Sequence, residues 1–264
     1  MVEALNAPWR YRQFIFSSVR NEFRNRYVRS RIGAAWAVLQ PLAQALIFTF
    51  ILSEVLRAKL GAVETKAGYA IYVMSGSAAW SLFSEIVTRC LNIFIEYGAS
   101  LKKIAFPKLC LPIIALTVSL INHLLLLGVL LIVFSAFGQL PGSAWLALPA
   151  GMGLISLLAL GIGVLFGVLN VFSRDVAQTF VIVLQFWFWL TPIIYPIETL
   201  PPDQRWLLSL NPLTPLVKLY QDAILFDRLP VGSELLFPAA LALALASVAA
   251  FVFGQASVDI VDAL

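Results

Sequence analysis

Long apolar runs alternate with short polar or charged stretches along the whole chain. Each of these runs approaches or exceeds the roughly 20 residues that an α-helix needs to cross the hydrocarbon core of a bilayer. They predict six membrane-spanning helices, over residues 34–53, 69–95, 109–137, 145–172, 176–194 and 235–254. The pattern therefore predicts an all-α integral membrane protein, organised as a single domain over residues 1–264.

Composition agrees with this prediction and excludes some partners. Hydrophobic residues make up 61% and charged residues 12% of the sequence, whereas soluble domains average about 25% charged residues. The net charge of +4 arises from Lys and Arg at the ends of apolar runs, as in cytoplasmic flanks rather than a nucleic-acid groove. We expect no nucleic-acid partner, and the two cysteines, Cys90 and Cys110, have no spacing typical of a metal site.

Residues 9–26 predict an amphipathic helix that lies in the plane of the membrane surface. Trp9, Phe16 and Phe23 recur every seven residues and form its apolar side. A solvated basic tail is the simpler alternative. The basic residues that would reach lipid headgroups or flank the first span are Arg10, Arg12, Arg26, Arg29 and Arg31. Their density before Gly33 places this flank, and by alternation both termini, in the cytoplasm.

The first predicted span carries a polar face. Trp36, Gln40 and Gln44 follow at intervals of four residues and therefore share one side of a helix. An amide in hydrocarbon needs hydrogen-bond partners, so this side should face protein or water rather than lipid. Hydrogen bonding to neighbouring helices and lining of a hydrated pathway both remain open.

The fifth predicted span, 176–194, carries a similar face and an aromatic run. Gln178, Gln185 and Trp189 share one side of the helix, and four aromatic residues stand consecutively at 186–189. These rings cover most of the helix circumference. They fit an aromatic belt at the membrane boundary or ring surfaces for sugars near the outer mouth of a channel. The aromatic candidates for such a site are Phe188, Trp189 and Tyr195.

Titratable residues inside the predicted spans are few. Glu85 and Arg89 are four residues apart, which predicts a structural ion pair rather than an acid that couples ions to transport. His123 is the sole histidine, and we expect a hydrogen-bonded interior residue rather than a proton relay. An ion-coupled transporter would need paired acids or a histidine relay inside the membrane, but Glu85 has Arg89 beside it and His123 is alone. An intramembrane transferase would need clustered carboxylates, and the sequence shows none. Gly163 and Gly167 predict close contact between two helices.

Two connecting segments predict short helices. Residues 97–108 are cytoplasmic by alternation, and an apolar side ends at Pro107. This segment suits docking to a soluble partner, although a basic loop resting on lipid headgroups is the alternative. Residues 198–230 are too interrupted to span a membrane. They predict two short helices that dip into the outer leaflet and return, which is tolerated where protein buries their ends.

A set of motifs in chain order resembles the ABC-2-type polysaccharide-export permeases, which export O-antigen, capsule or teichoic-acid chains. The motifs are Tyr27-x-Arg29-Ser30-x-Ile32-Gly33-x-x-Trp36-x-x-Leu39-x-Pro41-Leu42, Lys103-Ile104-x-Phe106-Pro107-Lys108-x-x-Leu111-Pro112, Ser173-Arg174-Asp175-Val176, Thr191-Pro192-Ile193 and Asn211-Pro212-Leu213. The resemblance covers nearly the whole chain. Thr191 stands where serine is usual in the family.

The resemblance implies a homodimer in the inner membrane, with a channel between the copies lined largely by the first and fifth spans. Each copy would dock on a separate nucleotide-binding ATPase subunit, which binds ATP and Mg, because this chain has no Walker motif and would not be an enzyme by itself. The coupling helix would comprise Ser100, Leu101, Lys102, Lys103, Ile104, Phe106 and Pro107. The cargo would be a lipid-linked polysaccharide, with O-antigen as the first choice and capsule or teichoic-acid polymer as alternatives.

Overall fold

The computed structural model describes residues 9–28, 66–103, 106–136 and 140–257, together with positions 39, 43, 47, 138, 260 and 263. All regular structure in these residues is helical. The helices are α1 (Arg12–Val28), α2 (Lys66–Glu96), α3 (Gly98–Lys103), α4 (Cys110–Ala136), α5 (Leu148–Phe172), α6 (Asp175–Leu190), α7 (Arg205–Ser209), α8 (Leu213–Leu225) and α9 (Leu236–Ala256). Short 3-10 turns occupy Ser143–Ala147, Ile197–Thr199 and Gly232–Leu235. Most of the first predicted span, including Trp36, Gln40 and Gln44, lies outside the described residues.

Four stretches in the described part of the chain are long and apolar enough to cross a membrane: Gly68–Glu96, Cys110–Ser135, Ser143–Phe172 and Gly232–Ala256. Helix α6 is apolar but has 16 residues, which is shorter than the roughly 20 residues of a perpendicular span. The all-helical architecture of an integral membrane protein is therefore confirmed. The total of six spans stays a prediction.

The fifth predicted span ends earlier in the structure than in the sequence prediction, at Leu190 rather than Ile194. Thr191 has φ −101° and ψ 133°, which is extended backbone. The cause is Pro192: its ring disfavours the helical conformation for the residue before it, and proline has no N–H to continue the hydrogen-bond ladder. Residues 191–194 are consequently irregular backbone at the end of an apolar helix.

Helix α2 is the centre of the bundle and packs against α4, α5 and α8. Its residues Phe83, Ile86 and Phe94 are fully buried. Helix α5 forms the second axis, because it packs against α2 on one side and α9 on the other. Helices α4, α6, α8 and α9 attach to this pair, whereas α1 packs on α4 and α7 packs on α8.

Close approach of α2 and α5 depends on glycine. A Cβ atom added to Gly167 would lie 2.3 Å from the carbonyl oxygen of Cys90, and one added to Gly163 would lie 2.7 Å from the Cys90 Cβ. Both glycines thus face α2, as the sequence analysis predicted for close helix contact. On the other side of α5, Gly161 meets the backbone of α9 at Ala246. Small residues at such contacts let helix backbones approach closely, and dispersion replaces the hydrophobic effect as the driving force in lipid.

Helix α8 lies inside the bundle, although its sequence is amphipathic and short. Leu216 and Tyr220 are 0% exposed, and the helix contacts both α2 and α5. Helices α7 and α8 are the two short helices expected within residues 198–230. Their passage into the outer leaflet and back stays a prediction.

Replacement of Gly167 by alanine should destabilise the protein by about 1–3 kcal/mol, the usual cost of overpacking a close contact. The added methyl group would meet backbone of α2, which cannot rotate away. A lowered midpoint of thermal aggregation in detergent would show this. Gly153→Ala is the matched control on the same helix, since nothing lies within 4 Å of a Cβ there. Equal midpoints for the two variants would contradict the packing described.

Candidate transport pathway and coupling site

Helix α6 presents a wide uncovered face. Of its side chains only Phe180 and Leu184 are buried. Gln178 and Gln185 are exposed, and Trp189 is 64% exposed. The structure therefore places the three residues that were predicted to share a face on the side of α6 that the described residues leave open.

The aromatic run at 186–189 points in two directions. The ring of Trp187 lies edge-on to Phe83 of α2, with centroids 5.1 Å apart, and Phe188 lies edge-on to Trp80, at 5.5 Å. Phe186, by contrast, is 68% exposed. Phe188, which was predicted to line the pathway, thus packs mainly on α2. Phe186, which the sequence analysis did not single out, lies on the open side. A helical projection with Leu184 on the buried side places Phe186 on the open side.

Tyr195 folds back onto the end of α6. Its hydroxyl donates a hydrogen bond to the carbonyl oxygen of Trp189, at 3.0 Å, and its side chain is half-buried. Two of the predicted aromatic candidates are therefore brought together at one end of the helix. No structural relation to Gln40 and Gln44 is described, because those residues lie outside the described part of the chain.

The irregular segment after α6 is held by side chains from other helices. The Tyr69 hydroxyl donates to the carbonyl oxygen of Ile194 at 2.6 Å. The Gln221 amide nitrogen lies 3.3 Å from the carbonyl oxygen of Pro192. Gly76 of α2 leaves the space for this amide, because a Cβ there would lie 2.7 Å from the Gln221 nitrogen. Backbone groups away from water need such partners.

At the other end of the bundle, the predicted coupling segment contains a helix. Helix α3 includes Ser100, Leu101 and Lys102, of which Leu101 is buried and Lys102 is exposed. Phe106 is buried and Pro107 half-buried. The side chain of Lys103 and all of Ile104 lie outside what the structure describes. An apolar side turned inward and a lysine turned outward suit an element that can meet a soluble partner.

Helix α1 is attached to this segment by one stripe of side chains. Phe14, Ser18 and Glu22 recur every four residues and so share one face. The ring of Phe14 packs on Phe106, with centroids 4.7 Å apart. Ser18 hydrogen-bonds to the side chain of Tyr97. Burial is the main cause that raises the pKa of the Tyr97 hydroxyl, with a further contribution from Glu22, so this phenol remains a neutral hydrogen-bonding group.

The third contact of the stripe leads to a charged cluster. Glu22 forms an ion pair with Arg89 of α2. Arg89 Nε donates to a Glu85 carboxylate oxygen at 2.9 Å, and the Asn122 amide of α4 donates to the same oxygen at 2.6 Å. The predicted ion pair between Glu85 and Arg89 is therefore confirmed. It is larger than predicted, because it joins α1, α2 and α4.

The opposite side of α1, together with the turn before it, carries exposed rings and basic residues. Trp9 is 75% and Phe16 is 71% exposed, and the guanidinium of Arg12 lies over the Trp9 ring, 5.2 Å from its centroid. Arg10 is also exposed. The remaining predicted basic positions, which are the Arg26 side chain, Arg29 and Arg31, lie outside the described residues. Rings and arginines on one side are typical of a helix at a membrane surface.

His123 is a hydrogen-bonded interior residue, as predicted. Its side chain is 2% exposed, and its Nε2 lies 3.0 Å from the Tyr220 hydroxyl oxygen of α8. Among the described residues, no group of three or more His, Cys, Asp or Glu side chains could hold a metal ion.

Asn170, which no sequence motif had indicated, joins three helices. Its amide nitrogen donates to the carbonyl oxygen of Leu91 in α2 at 2.8 Å. Its Oδ1 accepts from the backbone N–H of Ala177, in the first turns of α6, at 3.1 Å. The available signal was an isolated amide in an otherwise apolar run, just before the turn at Ser173. Such a group has to find protein partners when it is buried.

The described residues form a bundle of apolar helices. Helix α6 leaves a face with two amide side chains uncovered, and α1 packs through Phe14 beside the short helix α3. These features are those expected of a helical membrane protein with a role in transport. Residues 13–225 match the family model described as ABC-2 type transporter. The chain belongs to the ABC-2 type transporter family, as the motifs indicated. As a member, it is a transmembrane transport subunit and is not itself catalytic.

Curated relatives of modest identity share most of this length. An O-antigen export system permease protein RfbA from Myxococcus xanthus is 26% identical over 255 residues, which is 96% of each chain. An RfbA from Klebsiella pneumoniae is 26% identical over 201 residues, covering 75% of this chain and 74% of the relative. The polysialic acid transport protein KpsM from Escherichia coli is 26% identical over 216 residues, covering 81% of this chain and 82% of the relative.

Replacement of Glu22 by glutamine should loosen α1 from the bundle. The variant removes one of the two carboxylates that hold Arg89 but leaves Glu85, and a hydrogen bond to a charged group contributes about 1.5–3 kcal/mol. Hydrogen–deuterium exchange of residues 12–28 should become faster. Arg24→Gln, on the exposed side of the same helix, serves as the control. Exchange of α1 that is unchanged in Glu22→Gln would contradict a holding role for this ion pair.

Proposed function

We propose that this chain is the permease subunit of an ATP-driven exporter that moves a lipid-linked polysaccharide, O-antigen in the first place, out of the cytoplasm across the inner membrane. Membership in the ABC-2 family and the O-antigen export role named for the RfbA relatives support the class of cargo. The structural observation that carries the proposal is the open face of α6 with Gln178, Gln185 and Trp189.

The open face of α6 is unfavourable toward lipid. Amides without partners in hydrocarbon cost several kcal/mol on the scale of transfer to apolar solvent. A second copy of the chain, which brings the same face, would enclose these groups around a hydrated channel. Ring faces such as that of Trp189 pack on the C–H surfaces of many different sugars. Gln178 and Gln185 can exchange one hydroxyl partner for the next as a polymer slides past.

The energy for export would come from two copies of a nucleotide-binding subunit, which bind ATP and Mg. Helix α3, with Lys102 exposed and Leu101 buried, is the proposed docking element. A movement of this segment would be passed to α1 through the contact between Phe14 and Phe106. With six membrane spans, both termini of the chain would lie on the cytoplasmic side of the membrane.

Two alternatives differ in how well the site supports them. A capsule-type or teichoic-acid polymer is the second candidate cargo, because a KpsM relative matches 81% of the chain. An ion-coupled secondary transporter is not supported by the site. Glu85 is paired with Arg89, and His123 is occupied by Tyr220, so neither is available as an isolated coupling group.

Genetic complementation tests the cargo. The chain, expressed together with its own nucleotide-binding subunit, should restore surface O-antigen in a strain that lacks its O-antigen permease. It should not restore capsule in a strain that lacks a KpsM-type permease. Restoration of capsule alone would establish the second cargo. Transport by the purified chain without any ATPase would overturn the proposed mechanism.

Replacement of Trp189 by alanine should slow export more than it lowers the amount of protein in the membrane, because the side chain is 64% exposed and supports little of the fold. Export would be measured per molecule of permease from surface polysaccharide and quantitative blotting. Phe251→Ala is the matched control, since Phe251 of α9 is 68% exposed. Equal loss of export and of protein in Trp189→Ala would indicate a folding role instead.

A further inference from the structure

We propose that Asn211 is a positioning residue that fixes the rotation of α6 about its own axis. It does so through Trp187 and Thr191, and these three residues are called the α6 clamp below. The clamp thereby decides which aromatic rings α6 turns toward the transported polymer. This last consequence rests on the proposed function, whereas the clamp itself rests on the geometry that follows.

The α6 clamp uses the hydrogen-bonding capacity of one amide fully. Asn211 Oδ1 accepts from the Trp187 indole N–H at 2.9 Å and from the backbone N–H of Leu213 at 3.0 Å. Asn211 Nδ2 donates to the Thr191 hydroxyl oxygen at 2.9 Å and lies 3.3 Å from the carbonyl oxygen of Leu190. The Thr191 hydroxyl in turn donates to the carbonyl oxygen of Trp187 at 2.8 Å. An asparagine amide offers two donors and two acceptor lone pairs, and each has a partner here.

Asparagine is suited to this position because its short amide can satisfy backbone and side-chain groups together. It stands directly before Pro212 at the beginning of α8, where the bond to the Leu213 N–H satisfies a donor that the helix itself leaves unpaired. The Oδ1 oxygen thus bonds to both α8 and α6. The Nδ2 nitrogen reaches only the end of α6. Aspartate would lose both donors, and leucine would lose all four contacts.

The α6 clamp ties a weakly held helix to a firmly held one. Helix α8 is anchored along its length, by the contact of Tyr220 with His123 at 3.0 Å and by an ion pair of Lys218 with Glu234 at 3.0 Å. Its Gln221 side chain also meets the carbonyl oxygen of Pro192. Helix α6 has two buried side chains in 16 residues. The contacts at its two ends, at Asn170 and at the clamp, therefore matter for its orientation.

The rotation fixed by the clamp has a definite chemical result. Neighbouring residues of a helix point roughly 100° apart, so holding Trp187 against Phe83 directs Phe186 and Trp189 to the open side. Phe188 remains against Trp80. A turn of α6 by one residue position, in the direction that brings Phe186 to the place of Trp187, would turn Phe186 inward and Phe188 outward. In the proposed exporter, Asn211 thus selects Phe186 and Trp189 as the rings that meet the sugar chain.

Site-directed spin labelling tests the clamp directly. A nitroxide is attached to Phe186→Cys or Phe188→Cys in the full chain reconstituted in bilayers, and the native chain, whose Cys90 and Cys110 are buried, gives the background. Collision with oxygen reports lipid, and collision with a water-soluble nickel chelate reports water. With the clamp intact, the label at position 186 should be several-fold more accessible, to one reagent or the other, than the label at 188.

The clamp is then broken by Asn211→Leu and, more gently, by Thr191→Val, which removes the hydroxyl at nearly constant shape. Both changes should reduce the ratio of accessibility at 186 to that at 188 several-fold. Thr191→Ser keeps the hydroxyl and should preserve the ratio. If Asn211→Leu does not fold, the accessibility ratio of Thr191→Val decides whether the clamp holds α6. A ratio that is near one in the parent, or that neither variant changes, would overturn the proposal.

The same measurement separates the clamp from the proposed function. Accessibility of position 186 to the nickel chelate would agree with a hydrated pathway on this side of α6. Accessibility to oxygen alone would place Phe186 in lipid and would contradict the pathway. The dependence of the ratio on Thr191 and Asn211 would still support the clamp in that case.

Discussion

The constraint on which this structure depends is the need to pair every backbone polar group that is kept away from water. Helices meet it internally, but the segment after Leu190 cannot, because Pro192 ends the helix. Its carbonyl groups are paired instead by the hydroxyl of Tyr69 and the amide of Gln221, with Asn211 beside them. These partners come from α2, from α8 and from the turn that precedes α8. The segment that follows α6 is therefore tied to α2 and α8.

Features that depend on chain-local rules could be predicted from the sequence. The long apolar runs predicted the helices. Gly163 and Gly167 predicted a close helix contact, which is made with α2, and the spacing of Glu85 and Arg89 predicted the ion pair. The shared side of Gln178, Gln185 and Trp189 also followed from helical periodicity. In each case the spacing along the chain fixes the geometry.

Features that depend on which helices meet could not be predicted in this way. The four consecutive rings cover the circumference of α6, so periodicity could not assign Phe186 outward and Phe188 inward. The partner of His123 lies 97 positions away along the chain. The motifs at Thr191-Pro192 and Asn211-Pro212 were recognised in order, but only the fold shows that they touch. Helix α6 ended early because the effect of Pro192 on Thr191 outweighed the apolar character of the run.

Helix α6 has an amide anchor at each end. Near its first residues the side chain of Asn170 connects it to α2, and beyond its last residue Asn211 connects it to α8. Between these anchors, Phe180 and Leu184 provide the buried contacts. Because both ends are tied, α6 can bend in its middle, whereas the anchors oppose movement along its axis. In the proposed exporter, such a helix would adapt to polymers of different width in its middle, while the spacing of its side chains along the helix axis stays constant.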